Sequence, residues 1–285
     1  MSRARLAARV VRVALAVLAA VPLGAACAEP AAAPGFPDES TLQRIERRGV
    51  LTVGIKFDHP LFGFKDPTNG RITGFDAELA RLVAKDLTGS ERNVRFIEIM
   101  PRDREKFIEQ GLVDMIAATY SITPERARAV GFTDPYYYAD QDILVRADDT
   151  RIRGVDDLAG KKVCTADGST SKDRLRARAP RAKLEVVNSY SECTHALVSG
   201  RIDAISTDDS ILIGLMSLRP DSVRLVGETF GRELYGIGVR REDHAFRRYL
   251  NGLLTQYLRD GRWDRAFRDT IGITGADRGR AKPAR

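Results

Sequence analysis

The sequence is poor in the residues that build metal sites and nucleophilic catalytic sets. It has three histidines, His59, His195 and His244, and no two of them lie at the spacing of metal ligands. No set of serine, histidine and aspartate, or of cysteine and histidine, can be recognised in the chain. These absences predict a protein that is not an enzyme and that holds no metal and no cofactor.

Long apolar runs are also missing. The stretch at 13–21 is apolar, but it is too short for a membrane span and has the wrong flanks for one. It follows four arginines and precedes small residues, which is the pattern of an export signal. Residues 1–26 are therefore predicted to be a signal peptide.

Charge of one sign is nowhere massed. The formal net charge is +7, and four of the 46 basic residues lie in the predicted signal peptide. The other lysines and arginines are interleaved with aspartates and glutamates, as on solvated protein surfaces. We therefore expect no nucleic-acid partner.

Cysteine is scarce, with three in 285 residues. Residues 23–27 resemble the lipobox of bacterial lipoproteins, in which the cysteine, here Cys27, is lipidated and becomes the new N-terminus. Gly24 holds the position at which that motif prefers leucine. Ordinary signal-peptidase cleavage near residues 26–28 is the alternative.

The other two cysteines are Cys164 and Cys193. They form an even pair, and an even pair in an oxidising compartment outside the cytoplasm predicts a disulfide. A metal site at these cysteines is not expected, because no histidine lies at ligand spacing.

Strand and helix patterns alternate along the first part of the chain, which favours an α/β fold with a mostly parallel sheet. Ligands bind at the carboxyl ends of the strands in such sheets, and Lys56 and residues 119–121 fall there. The predicted elements are an Ala/Pro-rich tether at 28–37, helices at 41–48, 75–87 and 104–110, and strands at 50–55, 94–99 and 115–118.

The stretch at 113–137 carries the first candidate site. A buried strand opens into Thr119 and Ser121, and Pro124 stands where the first turn of a helix accepts it. Arg126 follows, and a planar guanidinium beside hydroxyls and free amides can bind a carboxylate at two points. A capped helix with a surface arginine explains the same residues, and this stretch alone does not decide between the two.

A second unit follows and carries two further candidates. Residues 168–171 precede a helix, so their amides could form an anion site or could only cap the helix. Asp208 and Asp209 lie between a strand and a helix, where they could hold an ammonium group, although capping is the more frequent explanation. The unit begins after a predicted strand at 143–146, and its own predicted strands lie at 162–165, 184–187 and 204–206.

Together these motifs resemble the family of extracytoplasmic solute-binding proteins for polar amino acids, the substrate-capture subunits of ABC importers. The resemblance covers residues 50–271 and is nearest to the glutamate-binding lipoproteins of actinobacteria. The segments that carry it lie at 53–58, 74–76, 113–126, 132–136, 168–171, 202–204, 207–212 and 235–238.

The resemblance implies an α/β fold of two lobes, the type II periplasmic-binding-protein fold. Two hinge strands join the lobes, and the ligand lies in the cleft between them. The boundaries it implies are a signal peptide at 1–26, a lipidated cysteine, tether and first helix at 27–48, lobe 1 at 49–138 and 231–274, lobe 2 at 139–230, and a disordered tail at 275–285.

The resemblance also implies a ligand site. Arg126 corresponds to the residue that pairs with the α-carboxylate of the ligand, and Asp208 to the acceptor of its α-ammonium group. Lys56 stands where binders of acidic amino acids carry a basic residue. Bound glutamine would leave the ammonium group of Lys56 without a partner, so this residue would favour glutamate. Pro101 replaces the aromatic residue that stacks on the ligand in many relatives. The other implied contacts are Thr119, Ser121, Gly168, Thr170 and Tyr190.

The function implied is capture of glutamate, or after it aspartate, for an ABC permease. The protein would be a monomer, held at the outer face of the cell membrane by a lipid on Cys27. A sensor of the same fold that signals to a membrane partner or a kinase is the first alternative. An enzyme on this scaffold is the second, and it would depend on Asp208 and Asp209 as its acids.

Overall fold

The computed structural model describes residues 40–275, which form two α/β lobes. The predicted signal peptide, Cys27, the tether and the tail beyond 275 lie outside the described residues. The elements in chain order are α1 (Thr41–Arg48), β1 (Leu51–Ile55), β2 (Asp58–His59), β3 (Gly63–Lys65), β4 (Ile72–Thr73), α2 (Phe75–Thr88), β5 (Val94–Glu98), α3 (Arg104–Glu109), β6 (Met115–Ile116), α4 (Arg126–Ala129), β7 (Val130–Phe132), β8 (Tyr137–Arg146), β9 (Lys162–Ala166), α5 (Thr170–Arg178), β10 (Lys183–Val187), α6 (Tyr190–Val198), β11 (Ala204–Asp208), α7 (Asp209–Ser217), β12 (Val223–Leu225), β13 (Arg232–Tyr235), β14 (Gly238–Arg240), α8 (His244–Asp260) and α9 (Arg262–Asp269).

Lobe 1 is built on a sheet with the strand order β5-β1-β6-β14-β7. The strands β5, β1 and β6 are parallel, so their carboxyl ends meet at one edge of the sheet. A second, small sheet of β2, β3 and β4 lies between β1 and α2, where the sequence analysis predicts no strand. Its strands have two or three residues each, which is too short for a periodic pattern to identify.

The strand predicted at 115–118 is shorter in the structure. Only Met115 and Ile116 pair with the neighbouring strands. Ala117 and Ala118 are buried, but Thr119 has a φ of 45°, in the left-handed region, and this turns the chain away from the sheet. The prediction of the strand was right in position and wrong in length.

Lobe 2 is built on a sheet with the strand order β10-β9-β11-β8-β12. The second half of β8 belongs to this sheet, whereas its first half, from Tyr137 to Asp140, pairs with β13. These two strands are the hinge that joins the lobes. The sequence predicted β8 only at 143–146, because that half is the uninterrupted apolar run. The predicted limits of the lobes stay a prediction.

An aromatic cluster fills the core of lobe 1 next to the hinge. The ring of Tyr235 stacks on that of Tyr137 at 5.6 Å, and the ring of Phe62 meets both edge to face. The indole Nε1 of Trp263 donates a hydrogen bond to the carbonyl of Tyr136 at 2.9 Å. Helix α9, at the end of the described chain, is thereby fixed to the segment that leads into the hinge.

A disulfide joins Cys164 of β9 to Cys193 of α6, with a sequence separation of 29 residues. Both sulfurs lie in a buried cluster on one face of the lobe 2 sheet. The bond ties the strand that leads to residues 168–170 to the helix that carries Tyr190.

Replacement of both cysteines by serine is expected to destabilise lobe 2 by about 3 kcal/mol, because the closed loop no longer restricts the unfolded chain. Urea unfolding followed by circular dichroism measures this loss. Mass spectrometry without reductant should show the two cysteines linked in the unaltered protein. Free thiols there, or an unchanged midpoint in the variant, would contradict the prediction.

Candidate functional site

A small cavity lies between the lobes, at the carboxyl ends of the central strands. Its volume is about 20 Å³, which is room for about one water molecule. An amino acid needs more space, so the lobes are tightly closed in this conformation. The residues that line the cavity are His59, Pro101, Arg104, Thr119, Ser121, Arg126, Ser169, Thr170, Ser171, Tyr190, Thr207, Asp208 and Ile211.

Arg126 lies at the first turn of α4 and contacts both lobes. Its Nη1 donates to the carbonyl of Ser121 in lobe 1 and its Nη2 to the carbonyl of Gly168 in lobe 2, both at 2.8 Å. The guanidinium also lies over the ring of Tyr120, and its Nε is 3.6 Å from Glu105 Oε1. These contacts fix the plane of the guanidinium. Arg126 is therefore not the surface arginine of the alternative interpretation.

Asp208 ends β11 on the opposite wall of the cavity. Tyr235 of the hinge donates a hydrogen bond to its Oδ2 at 2.5 Å, and its buried Oδ1 has no hydrogen bond within residues 40–275. Burial and the nearby Glu233 raise the pKa of Asp208 well above its usual range. Glu233 itself pairs with Arg174 at 2.6 Å. The carboxyl of Asp208 thus has no ion pair among the described residues, because Arg174 pairs with Glu233 instead.

The backbone at Thr119 is held in its unusual conformation by a buried carboxyl. The Thr119 amide donates to Asp76 Oδ2 at 2.9 Å, and the Tyr136 hydroxyl donates to Asp76 Oδ1 at 2.6 Å. Burial raises the pKa of Asp76 to about 6 despite these two donors. Strained residues of this kind cluster at binding sites. Because its amide is occupied, Thr119 can offer a ligand its side chain or its carbonyl.

Three predicted site residues of lobe 2 face these groups. Thr170 Oγ1 lies 3.5 Å from Ser121 Oγ, across the closed cleft. The buried ring of Tyr190 lies 5.8 Å from that of His59. Gly168 is not among the lining residues, and its carbonyl accepts a hydrogen bond from Arg126. The contact of its amide with a ligand stays a prediction.

Lys56 is buried, but it does not line the cavity. Its Nζ lies 2.9 Å from Asp58 Oδ1. Burial would raise the pKa of Asp58, but the neighbouring His59 and Lys56 and a hydrogen bond from the Ser191 amide lower it to about 2 overall. The argument that glutamine leaves this ammonium unpaired therefore does not hold in the closed conformation, where a carboxylate of the chain already neutralises it.

Two titratable residues of the cavity, Arg104 and His59, were missed by sequence reasoning. Arg104 is buried, its Nη2 donates to the carbonyl of Ala118 at 2.5 Å, and its Nε has no hydrogen bond within the described chain. Burial and the charge of Arg126 lower its pKa, although a guanidinium keeps its proton in proteins. Burial also lowers the pKa of His59 to about 3, so its ring is neutral. The sequence signal for Arg104 was weak, because it reads as one arginine in a charged helix.

Two glycines allow the lobes to approach this closely. A Cβ on Gly168, whose φ is +72°, would lie 2.5 Å from the Cα of Arg102 in lobe 1. A Cβ on Gly214 in α7 would overlap the carbonyl oxygen of Pro60. Close backbone approach of this kind is possible only without a side chain.

Gly214→Ala is expected to weaken ligand binding, although alanine is the better helix former by about 1 kcal/mol. The added methyl must push Pro60 away and hold the lobes apart. Calorimetry against the amino acid that binds the unaltered protein measures the effect. Gly252→Ala is the matched control, because Gly252 also lies in a helix but has open space around its Cα. Equal affinities for the two variants would show that the Pro60 contact does not limit closure.

The two lobes, the hinge of β8 and β13 and the charged cavity between the lobes are the features of a protein that binds a small polar ligand in an interlobe cleft. The chain belongs to the bacterial extracellular solute-binding proteins, family 3, whose model matches residues 51–272. The fold is that of type II periplasmic amino-acid-binding proteins, as the sequence predicted.

Named relatives agree with this assignment. The chain is 36% identical over 267 residues to the ABC transporter glutamine-binding protein GlnH of Bacillus subtilis, which covers 92% of this chain and 97% of that protein. It is 36% identical over 234 residues to the glutamate-binding protein GluB of Corynebacterium efficiens, covering 79% of each. The crystal structure of a cysteine-binding protein from Campylobacter jejuni has a TM-score of 0.80 and 26% identity, and covers 86% of this chain and 99% of that one.

Residues 40–275 contain neither a candidate membrane span nor a candidate metal site. None of the helices there combines the length and the apolar character of a membrane span. No group of three or more histidines, cysteines and acids is placed to hold a metal ion within that part of the chain.

Proposed function

We propose that the protein captures glutamate, with aspartate as the second choice, by closure of its two lobes. The charges of the cavity carry this proposal. Its lining has two guanidinium groups, on Arg104 and Arg126, and one carboxyl group, on Asp208, while His59 is neutral. An acidic amino acid has two carboxylates, one for each guanidinium group, and one ammonium group for the carboxyl of Asp208.

The position of Asp208 supports a closure that depends on the ligand. Desolvation of its carboxyl opposes the closed conformation, as the raised pKa indicates. A ligand ammonium beside Oδ1 offsets that cost. An amino acid then stabilises the closed conformation more than the open one, which is the condition for a ligand to shift the equilibrium.

Arg104 supports glutamate over glutamine. Arg126 is assigned the α-carboxylate, and Arg104 is then available for the carboxylate of the side chain. A glutamine amide would place its neutral group against this buried guanidinium, and a poorly matched buried charge is costly. Relatives of similar identity are named for glutamine and for glutamate, so the preference depends on individual residues and not on overall similarity.

The protein delivers its ligand to an ABC permease from the outer face of the cell membrane, where a lipid on Cys27 anchors it as a monomer. Its relatives in ABC transporters support the first part of this proposal, and the lipobox-like residues 23–27 support the second. A sensor that signals to a membrane partner would use the same site. An enzyme is disfavoured because the lining has a single carboxyl group, on Asp208, and the hydroxyl of Tyr235 already occupies its Oδ2.

A thermal-shift screen over the natural amino acids tests the proposal, because a ligand that binds the folded state raises its apparent stability. Glutamate should give the largest shift, aspartate the next and glutamine a smaller one. A largest shift with glutamine would overturn the acidic preference. Chemical analysis of the amino acids after incubation should find them unchanged, and turnover of any of them would favour the enzyme.

A further inference from the structure

A groove with a volume of about 570 Å³ lies on the surface next to the closed cleft. One wall is formed by residues of lobe 1 around β2 and β3, including Phe57 and Phe64. The other wall is formed by lobe 2, from α6 with Val198 and from α7 with Leu215. The groove is separate from the ligand cavity, and no residue lines both.

The groove exists only when the lobes are close together. Beside it, the backbone of Gly214 in α7 touches Pro60 of lobe 1, and the Ser191 amide of α6 contacts Asp58. Opening about the hinge moves β2 and β3 away from α6 and α7 and separates the two walls. A partner that binds this groove therefore binds the closed conformation.

The lining combines exposed apolar side chains with unpaired cations. Val198 is 42% exposed and Leu218 is 47% exposed, and they are two of the five large hydrophobic residues exposed in the described chain. Lys65, whose Nζ lies 5.3 Å from the centre of the Phe57 ring, and Arg219 have no ion pair within residues 40–275. The one acid in the lining, Asp58, is neutralised by Lys56.

We propose that this groove is the surface by which a membrane permease recognises the loaded protein. The occupant is a permease segment with an apolar side chain that enters between Val198 and Leu218, flanked by carboxylates that pair with Lys65 and Arg219. Complementary charge orients such an encounter, and the buried apolar anchor supplies its energy. The proposal rests on the proposed function, because it assigns the importer as the partner that distinguishes closed from open.

The test measures uptake of labelled glutamate by cells of the parent organism that lack the chromosomal gene and carry the full-length chain on a plasmid. Val198→Asp combined with Leu218→Asp should lower uptake at saturating glutamate at least about tenfold, because two acids would face the acids of the partner. Leu112→Asp is the matched control, since Leu112 is 46% exposed, lies in lobe 1 and does not line the groove. It should support normal uptake.

Calorimetry on the same purified variants separates this proposal from the proposed function. The groove variant should bind glutamate within about twofold of the unaltered protein, because no altered residue lines the cavity. Normal uptake by the groove variant, or uptake unaffected by deletion of the gene, overturns the groove proposal. Failure of the unaltered protein to bind glutamate rejects the proposed ligand alone, and uptake is then measured with the amino acid that the thermal-shift screen identifies.

Discussion

Arg126→Ala is expected to abolish binding of glutamate and of every other amino acid. Among the described residues, this side chain is the cavity cation that contacts both lobes, through the carbonyls of Ser121 and Gly168. Its loss leaves the α-carboxylate of any ligand without its partner in a desolvated cleft, which costs about 2–5 kcal/mol. Calorimetry should therefore detect no binding at ligand concentrations that saturate the unaltered protein.

The control for this variant lies two residues further along the same helix. Arg128 is exposed, and its one ion pair among the described residues is with Glu125 at the surface, at 3.9 Å. Such pairs contribute little, so Arg128→Ala should keep full affinity. Retained affinity in Arg126→Ala would remove that residue from the binding site.

The second large effect is expected for Arg104→Met, which should change the preference between ligands. Methionine keeps the length of the side chain and removes the guanidinium, so glutamate would lose the partner of its side-chain carboxylate. We expect glutamate affinity to fall by a factor of 30 or more, roughly 2 kcal/mol, while glutamine affinity stays within a few-fold. Calorimetry with both ligands gives the ratio. Stability should not suffer, since a buried charge is exchanged for an apolar group.

Lys56→Met is the informative comparison, because the sequence pointed to Lys56 as the residue that selects glutamate. In the structure Lys56 pairs with Asp58 and lies outside the cavity lining. Removing it leaves the Asp58 carboxylate buried without its partner, and this should weaken closure on glutamate and glutamine alike. A lost preference in Lys56→Met together with an unchanged one in Arg104→Met would restore the sequence-based assignment.

The limits of a helix or strand could be predicted where the residues that set them are its neighbours in the sequence. Helix α1 begins after Ser40, whose side chain caps it, and ends before Gly49 in the left-handed conformation, so both limits could be predicted from the chain. Helix α2 likewise ends before Gly89. The hinge could not be predicted in this way. The first half of β8 alternates buried and half-buried residues, and it pairs with β13, from Tyr137 with Tyr235 to Asp140 with Arg232.

Site residues that lie at the ends of predicted strands and helices could be identified from the sequence. Site residues whose position depends on short irregular elements could not. Arg126, Asp208 and Thr170 lie at element ends that the motif pattern marks, and the structure brings all three to one cavity. Arg104 enters the same cavity because a turn of 3-10 helix at Pro101–Asp103 precedes α3 and sets the direction of its first residue. The pairing of Lys56 with Asp58 depends on the short strand β2, which carries no recognisable sequence signal.

The most direct measurement is a crystal structure of the protein with glutamate. It should place the α-carboxylate on Arg126, the ammonium group on Oδ1 of Asp208 and the side-chain carboxylate on Arg104, between closed lobes. Glutamate bound outside this cavity, or held there with its ammonium group away from Asp208, would contradict the central claim that opposite fixed charges on the two lobes close on one zwitterion.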